Sequence, residues 1–402
     1  MGEVKRLVRR AVARVWSRDN YGVGMSRRIV VHPLVKGMPR IALASQQAID
    51  RPERLSIARR LIKAYTLAKA DEGGAKLQPP QDDLWTNLID REFKQLLQIL
   101  KSEDVDALSK YLLHFGEQYT WFGGLTLSVD GFNQQRDPSS IALSYLDKLV
   151  CLAESEGVLS LENPEQSAQW GDNLYLDVDE ILDGIENAIG ISVAPPVGAV
   201  PVTGLDTSRG PLHYRHFNSL FAALRIKALL PDNGAICEYG GGLGIVAYYA
   251  NKLNFLDYTI FDLPLVNVFA GHFLMNTLGA DAVRLYGEDS RTATINVLPY
   301  WQCMAVPSGV YSLALNQDSF PEIAPSLVLE YLRQIERTTA KYLLSINQEA
   351  QASMGSRRQN SVPALMRGFE HFHRMYRMKY WIREGYVEEL YELRRGPLID
   401  TR

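Results

Sequence analysis

The segment 238–244 reads EYGGGLG, a carboxylate followed by four glycines in five positions. Glycine lets the backbone turn sharply, and it lets a ligand approach main-chain N–H groups without hindrance from a Cβ atom. A tight turn between a strand and a helix needs fewer glycines than this. The segment therefore predicts a loop that holds a ligand.

Two kinds of ligand could use this loop. The stretch 242–247, GLGIVA, satisfies the G-x-G-x-x-G/A pattern of dinucleotide sites, but it begins four residues beyond Glu238. S-adenosylmethionine has no phosphate and carries an amine and a sulfonium, and a carboxylate at a strand end suits a cation better than a pyrophosphate. We therefore prefer S-adenosylmethionine and keep a nicotinamide dinucleotide as the alternative.

Polar side chains follow three further strands of the predicted sheet. Asp262 is an acceptor-only carboxylate that could bind both hydroxyls of a ribose. Glu288 lies where an adenine amine could be bound, although it could equally be a solvated loop acid. Asn316 ends a later strand and is expected to position the cofactor.

Transfer of a methyl group to a hydroxyl is an in-line displacement, and a base that removes the hydroxyl proton assists it. Asp318 follows the predicted fourth strand and is our first candidate for this base, with a helix cap or loop acid as the alternative. His213 and His216 are the second candidates, since histidine titrates near neutrality, although a lone histidine is more often structural. We expect no metal site, because no tight cluster of histidine and acidic residues appears.

After Pro211 the sequence alternates between strand and helix patterns. Such alternation builds a parallel sheet covered by helices on both faces. Two strand-like runs, 375–382 and 386–393, are separated by three residues and predict a terminal antiparallel hairpin. The predicted strands before them are 235–238, 258–261, 282–286, 309–315 and 342–346.

The first half of the chain is predicted to be mainly helical. Between 190 and 211, four prolines and four glycines predict a linker or an active-site cover. We place the domain boundary there, with residues 1–205 serving acceptor recognition or dimerisation and residues 206–402 forming the sheet domain. Residues 1–18 predict a basic amphipathic helix, which could lie on anionic lipid, pack on this protein or a second subunit, or be a cleaved presequence.

The composition excludes several classes of protein. The 402 residues carry a net charge of −3, so the basic excess of a nucleic-acid binder is missing. Three widely spaced cysteines predict neither a disulfide framework nor a cysteine zinc site, and they favour a reducing compartment. No apolar run approaches the ~20 residues that span a bilayer. We expect a cytoplasmic protein, peripheral to a membrane if the N-terminal helix binds lipid.

On these motifs the second half resembles the class I S-adenosylmethionine-dependent methyltransferases. It is more specifically similar to the bacterial sugar O-methyltransferases linked to surface-polysaccharide and glycan modification, through 236–247, 261–264 (FDLP), 315–323 (LNQDSFPEI) and 344–349 (LSINQE). The resemblance implies an α/β fold with a Rossmann-like, mostly parallel seven-stranded sheet that ends in an antiparallel hairpin. It also implies that the loop backbone holds the methionine part of the cofactor and that Asp262 binds its ribose.

The expected function is methyl transfer from S-adenosylmethionine to a hydroxyl of a nucleotide sugar, a glycan or a glycosylated metabolite. A natural-product O-methyltransferase with a non-sugar acceptor, a nicotinamide-dependent oxidoreductase and a non-catalytic binding protein are the alternatives. The expected catalytic residues are Asp318, His216 and His213. The expected cofactor-binding residues are Glu238, Gly240, Gly241, Gly242, Gly244, Asp262, Leu263, Glu288 and Asn316.

Overall fold

A computed structural model provides the structure of the chain. It describes residues 39–43, 51–79, 84–118, 138–162, 173, 176–193, 203–289, 292–349, 353–354, 357–383 and 385–394. The predicted basic helix at residues 1–18 and the centre of the Pro- and Gly-rich segment, residues 194–202, lie outside these ranges.

The first half is helical, as predicted. A short antiparallel pair, β1 (Ile41–Leu43) and β2 (Thr203–Leu205), joins the beginning and the end of this half. Among the described residues between the two strands, the helices are α1 (Arg51–Glu72), α2 (Leu84–Glu92), α3 (Lys94–Lys101), α4 (Val105–Gln118), α5 (Pro138–Ser155) and α6 (Val178–Ile189).

The second half forms a mostly parallel sheet with an antiparallel hairpin at one edge, which confirms the predicted fold class. The strand order is β11-β12-β8-β7-β3-β4-β6-β5. The strands are β3 (Ile236–Tyr239), β4 (Tyr258–Asp262), β5 (Val283–Leu285), β6 (Ile295–Pro299), β7 (Tyr311–Gln317), β8 (Thr339–Gln348), β11 (Phe372–Lys379) and β12 (Tyr386–Leu393). A separate small pair consists of β9 (Ser353–Met354) and β10 (Arg357–Arg358).

Helices connect the parallel strands. They are α8 (Ile245–Lys252), α9 (Pro264–Leu278) and α10 (Pro325–Thr338), while α7 (Tyr214–Leu229) leads into β3 and a short α11 (Val362–Met366) precedes the hairpin. Two of them, α9 and α10, begin with proline, whose fixed φ suits the first helical turn where its missing N–H costs nothing.

The sheet has eight strands where seven were expected, and the difference is β6. This strand pairs in parallel with β4 and separates it from β5, the predicted third strand, which lies at the edge. Its sequence INVLP alternates buried and half-buried residues over only five positions and ends in proline. This pattern is too short to predict a strand, and one of the two partners of β6, the strand β4, lies much earlier in the chain.

The helical half packs directly on the sheet half. In the larger hydrophobic cluster, the ring of Phe269 on α9 lies 5.7 Å from that of Phe93 and 4.3 Å from that of Phe115. Lys148 on α5 donates to the carbonyl of Ile382 at 2.6 Å, beside the hairpin turn. Within the ranges given above, no helix has both the length and the apolar character needed to cross a membrane.

Candidate functional site

The site lies where the strand order reverses. β3 connects through α8 to β4 on one side, whereas β7, its neighbour on the other side, connects through α10 to β8, so the two connections run in opposite directions from this point. Ligands of open parallel sheets bind in the crevice at this edge. Glu238 lies on β3, Asp262 ends β4 and Asn316 lies near the end of β7, so the topology brings these three predicted residues to one edge.

Three glycines of the loop adopt left-handed backbone conformations: φ is 76° at Gly240, 58° at Gly242 and 79° at Gly244. A Cβ atom on Gly240 would lie 2.3 Å from Ser319 Oγ, and one on Gly244 would lie 2.9 Å from Leu274 Cδ1. A Cβ atom on Gly242 would meet nothing within 4 Å. The loop therefore packs tightly at its two ends and is open at Gly242.

This contrast predicts different effects of alanine at the two positions. Gly242→Ala should cost about 1–2 kcal/mol of stability, the penalty for an L-residue in the left-handed region. Gly240→Ala should cost at least about 1 kcal/mol more, because it also collides with Ser319. Urea denaturation of both variants measures the difference, and equal losses would contradict the described packing.

Asp262 holds the glycine loop through one carboxylate oxygen and the start of α9 through the other. Oδ2 accepts from the Gly242 N–H at 2.9 Å, and Oδ1 accepts from the Leu263 N–H at 2.7 Å. Burial raises the pKa of Asp262 to about 7, and these two N–H groups only partly oppose the shift. Leu263 is half-buried and precedes α9. Each oxygen retains acceptor capacity for a ligand hydroxyl.

Glu238 lies beneath the loop and is 2% exposed. The Tyr258 hydroxyl donates to its Oε2 at 2.9 Å, and a Cβ atom on Gly241 would lie 3.1 Å from the same oxygen. Burial, reinforced by the charge of Asp262, raises the pKa of Glu238 to about 7 although the Tyr258 hydrogen bond lowers it. In the described part of the chain neither carboxylate forms an ion pair, and a cationic ligand beside them would stabilise their ionised forms.

Asn316 is buried at the end of β7. Its Nδ2 donates to the Tyr239 carbonyl at 2.8 Å and to Ser319 Oγ at 2.6 Å, and its Oδ1 accepts from Asn347 at 2.8 Å. The amide therefore joins β7, β3 and β8. It positions the start of the glycine loop, and its direct contact with a cofactor stays a prediction.

Glu288 contacts α1 and β5 rather than the residues at this edge of the sheet. Its two carboxylate oxygens accept from Arg60 of α1 at 2.7 Å each, and Oε2 also accepts from the Leu285 N–H at 2.8 Å. Burial alone would raise the pKa of Glu288, but the Arg60 hydrogen bond and charge lower it overall. Glu288 thus fastens α1 to β5, and its predicted contact with adenine remains untested.

A cleft next to Asp262 was missed by the sequence analysis. Asn267 donates to the Asp262 carbonyl at 3.3 Å, and its buried Oδ1 accepts no hydrogen bond from any described residue. No local motif marks this cleft, because one of its walls comes from α1, far from α9 in the sequence. The residues that line it include Leu61, Ala64, Tyr65, Asn267, Val268 and Pro299.

Asp318 directly follows β7 and has a left-handed backbone, with φ at 65°. Its Oδ2 accepts from Arg383 and, at 3.3 Å, from Arg215, and its Oδ1 accepts from the Tyr386 hydroxyl. Burial would raise the pKa of Asp318, but the two guanidinium groups lower it overall. A carboxylate held by three donors is a weak base. The sequence analysis did not find these three partners.

Glu322 lies in the turn after Asp318, and its backbone N–H donates to the Ser319 carbonyl at 3.0 Å. The Trp85 indole donates to its carboxylate. Burial and the neighbouring charge of Asp318 raise the pKa of Glu322. A carboxyl group with a raised pKa is better suited than Asp318 to accept a proton.

The two histidines have structural contacts. His213 precedes α7 and its Nδ1 accepts from the Arg215 N–H at 3.2 Å, while His216 Nδ1 lies 3.0 Å from the Tyr249 hydroxyl. Burial lowers the pKa of His213 and lowers that of His216 to about 4. Both are therefore neutral at pH 7, and their catalytic role stays a prediction. No group of three or more potential metal ligands occurs among the described residues.

No protein-family model matches the chain, and no curated protein matches it either. Among solved structures it is similar to the PH0226 protein of Pyrococcus horikoshii OT3, at 10% identity and a TM-score of 0.35 over 44% of this chain and 92% of that one. It is also similar to magnesium protoporphyrin IX methyltransferase of Synechocystis PCC 6803, solved with bound S-adenosylmethionine, at 10% identity and a TM-score of 0.31 over 45% and 81%. A third similar structure is 1,6-didemethyltoxoflavin-N1-methyltransferase of Burkholderia thailandensis with bound S-adenosylhomocysteine, at 15% identity and a TM-score of 0.31 over 44% and 78%.

Proposed function

We propose that this chain is an S-adenosylmethionine-dependent O-methyltransferase that acts on a sugar hydroxyl. The observation that carries the proposal is the left-handed glycine bend between two buried carboxyl groups, Glu238 and Asp262, at the reversal point of the sheet. Nothing in a bare strand-to-helix turn requires this pair of carboxyl groups.

The residues present fit this cofactor. Gly242 leaves an open approach to the backbone, Asp262 retains acceptor capacity for ribose hydroxyls, and the two carboxyl groups attract a cation. Among the described residues, the neighbouring cleft has mainly apolar walls and an amide oxygen on Asn267 that accepts no hydrogen bond, and this oxygen offers an acceptor for an amine of the cofactor. S-adenosylmethionine supplies a methyl group activated by its positively charged sulfur.

The chain's own residues then have three tasks. Asn316 and Ser319 fix the carbonyl end of β3 and so hold the glycine loop in place. Asp318 organises the far side of the crevice by gathering donors from α7 and the hairpin. Glu322, in the turn that follows Asp318 and Ser319, takes the proton of the acceptor hydroxyl as the methyl group is transferred.

The sugar acceptor rests on the sequence resemblance at 315–323 and 344–349, which in the structure are the end of β7 with its following turn and the end of β8. A non-sugar natural-product hydroxyl would use the same crevice. Measuring transfer of a radiolabelled methyl group to nucleotide sugars, glycans and hydroxylated natural products distinguishes the two classes of acceptor. Transfer to the natural products alone would contradict the proposed sugar acceptor.

The cofactor is tested by thermal shift of the full chain with S-adenosylhomocysteine, NADH and NADPH. We expect S-adenosylhomocysteine alone to raise the melting temperature, because a ligand that binds only the folded state stabilises it. Stabilisation by a nicotinamide cofactor alone would overturn the proposal in favour of an oxidoreductase. Stabilisation by none of the three ligands would also contradict the proposed cofactor.

Replacing Asp262 with alanine should weaken S-adenosylhomocysteine binding by about 10–100-fold, the loss expected for hydrogen bonds to a charged group. Isothermal titration calorimetry measures the change. Asp257→Ala is a matched control, because Asp257 precedes the same strand at its opposite end. Unchanged affinity in Asp262→Ala would place the ribose elsewhere.

A further inference from the structure

Two arginines converge on one carboxylate at the far side of the crevice. Arg383, in the hairpin turn, is 2% exposed and stacks over the Tyr386 ring at 3.8 Å from its centroid. Arg215, in the first turn of α7, has a side chain that is 13% exposed. Both guanidinium groups donate to the same Oδ2 atom of Asp318.

Arg215 uses little of its hydrogen-bonding capacity. A guanidinium offers five N–H donors, and the side chain of Arg215 makes one described hydrogen bond, a long one of 3.3 Å to Asp318, besides lying 5.5 Å from the centroid of the Tyr214 ring. Its buried Nε has no hydrogen-bond partner among the residues that the structure describes. Unpaired buried donors are costly, so these N–H groups point to an acceptor that arrives with a ligand.

Among the residues that the structure describes, the charges at this place do not balance. Two guanidinium groups face the ionised Asp318, while burial raises the pKa of Tyr386 far above its usual range and keeps that phenol neutral. Glu322 is the second carboxyl group in reach. Its raised pKa means that it contributes less than a full negative charge near neutrality. The site therefore has an excess of positive charge.

This positive site borders the glycine loop. Asp318 immediately precedes Ser319, whose hydroxyl donates to the Tyr239 carbonyl at 3.1 Å and lies against Gly240. The left-handed backbone of Asp318 is held by its N–H, which donates to the Ile346 carbonyl at 2.9 Å. Strained backbone of this kind is typical of ligand clamps.

We propose that the methyl acceptor carries an anionic group, a carboxylate or a phosphate, which binds Arg215 beside Asp318. The inference rests on the proposed function and narrows its substrate class. A guanidinium binds either anion through paired N–H donors. A carboxylate would come from a uronic acid, and a phosphate would come from a sugar phosphate or a nucleotide sugar.

The test compares matched acceptors by isothermal titration calorimetry on the full chain saturated with S-adenosylhomocysteine. A panel of neutral hexoses is measured beside their uronates and their 1-phosphates. We expect the preferred charged compound to bind at least about tenfold more tightly than its neutral counterpart, a preference that high salt reduces. A preference for uronates alone identifies the carboxylate, and one for phosphates alone identifies the phosphate.

Arg215→Gln should abolish this preference while S-adenosylhomocysteine affinity is retained, and the exposed Arg333→Gln should leave both unchanged. If Arg215→Gln does not fold, the salt dependence of the wild-type preference decides instead. Equal affinity for charged and neutral compounds overturns the inference, and so does the absence of binding by both. Neither result contradicts the proposed function. Failure of S-adenosylhomocysteine itself to bind is the separate failure of the proposed function.

Discussion

Replacing Glu322 with glutamine is expected to lower kcat by about 10²–10⁴-fold, the usual contribution of a general base. Glutamine keeps the shape of the side chain, and its amide oxygen can still accept from Trp85, but it cannot take a proton. The measurement is single-turnover methyl transfer to the acceptor identified by the radiolabel screen, with S-adenosylhomocysteine affinity measured in parallel.

The pH profile gives the same prediction a second readout. Because the pKa of Glu322 is raised, the base is protonated in a large share of molecules near neutrality and becomes active as the pH rises. The wild-type kcat should therefore increase with pH, and Glu322→Gln should lose this dependence. Glu330→Gln is the control, since Glu330 pairs with the exposed Arg333 on α10. A Glu322→Gln variant within threefold of wild type would exclude Glu322 as the base.

Replacing Asp318 with alanine should destabilise the fold by about 3–5 kcal/mol, the cost of removing one partner from a buried ion pair. The substitution leaves the positive charges of Arg215 and Arg383 without the carboxylate that both contact, and it removes the acceptor of the Tyr386 hydroxyl. Urea denaturation at pH 7 measures the loss. At this pH the wild-type carboxylate is fully ionised, because its folded-state pKa is lowered.

The control for Asp318→Ala is Glu392→Ala on β12. Glu392 pairs with Arg394, whose side chain is 58% exposed, and surface pairs of this kind contribute up to about 1 kcal/mol. A loss in Asp318→Ala no larger than that of the control would show that the two arginines are satisfied without this carboxylate.

The part of the site around Glu238 and Asp262 could be predicted from the sequence because its signals are local. Glu238 and the glycines form one segment, and Asp262 follows the next strand of a regular strand–helix alternation. Parallel strands bring their carboxyl ends to one edge, so the spacing alone predicted that these residues meet.

The contacts of Asp318 could not be predicted from the sequence in the same way. Arg383 and Tyr386 reach Asp318 only because β12 pairs antiparallel with β8, and the register of that pairing is set by tertiary packing. Arg215 lies between the two histidines that were chosen for their pKa. The rings of both histidines are buried, whereas the side chain of Arg215 between them donates to Asp318.

The cleft beside Asp262 has one wall from α1 and another from α9, and Arg60 of α1 clamps Glu288 nearby. The helical half therefore supplies both a wall of this cleft and an arginine that anchors the edge of the sheet. Exchanging the residues before β2 for an unrelated helical segment would remove both at once. Changes to the proposed ligand site are consequently better made residue by residue at the carboxyl edge of the sheet than by exchanging the helical half as a unit.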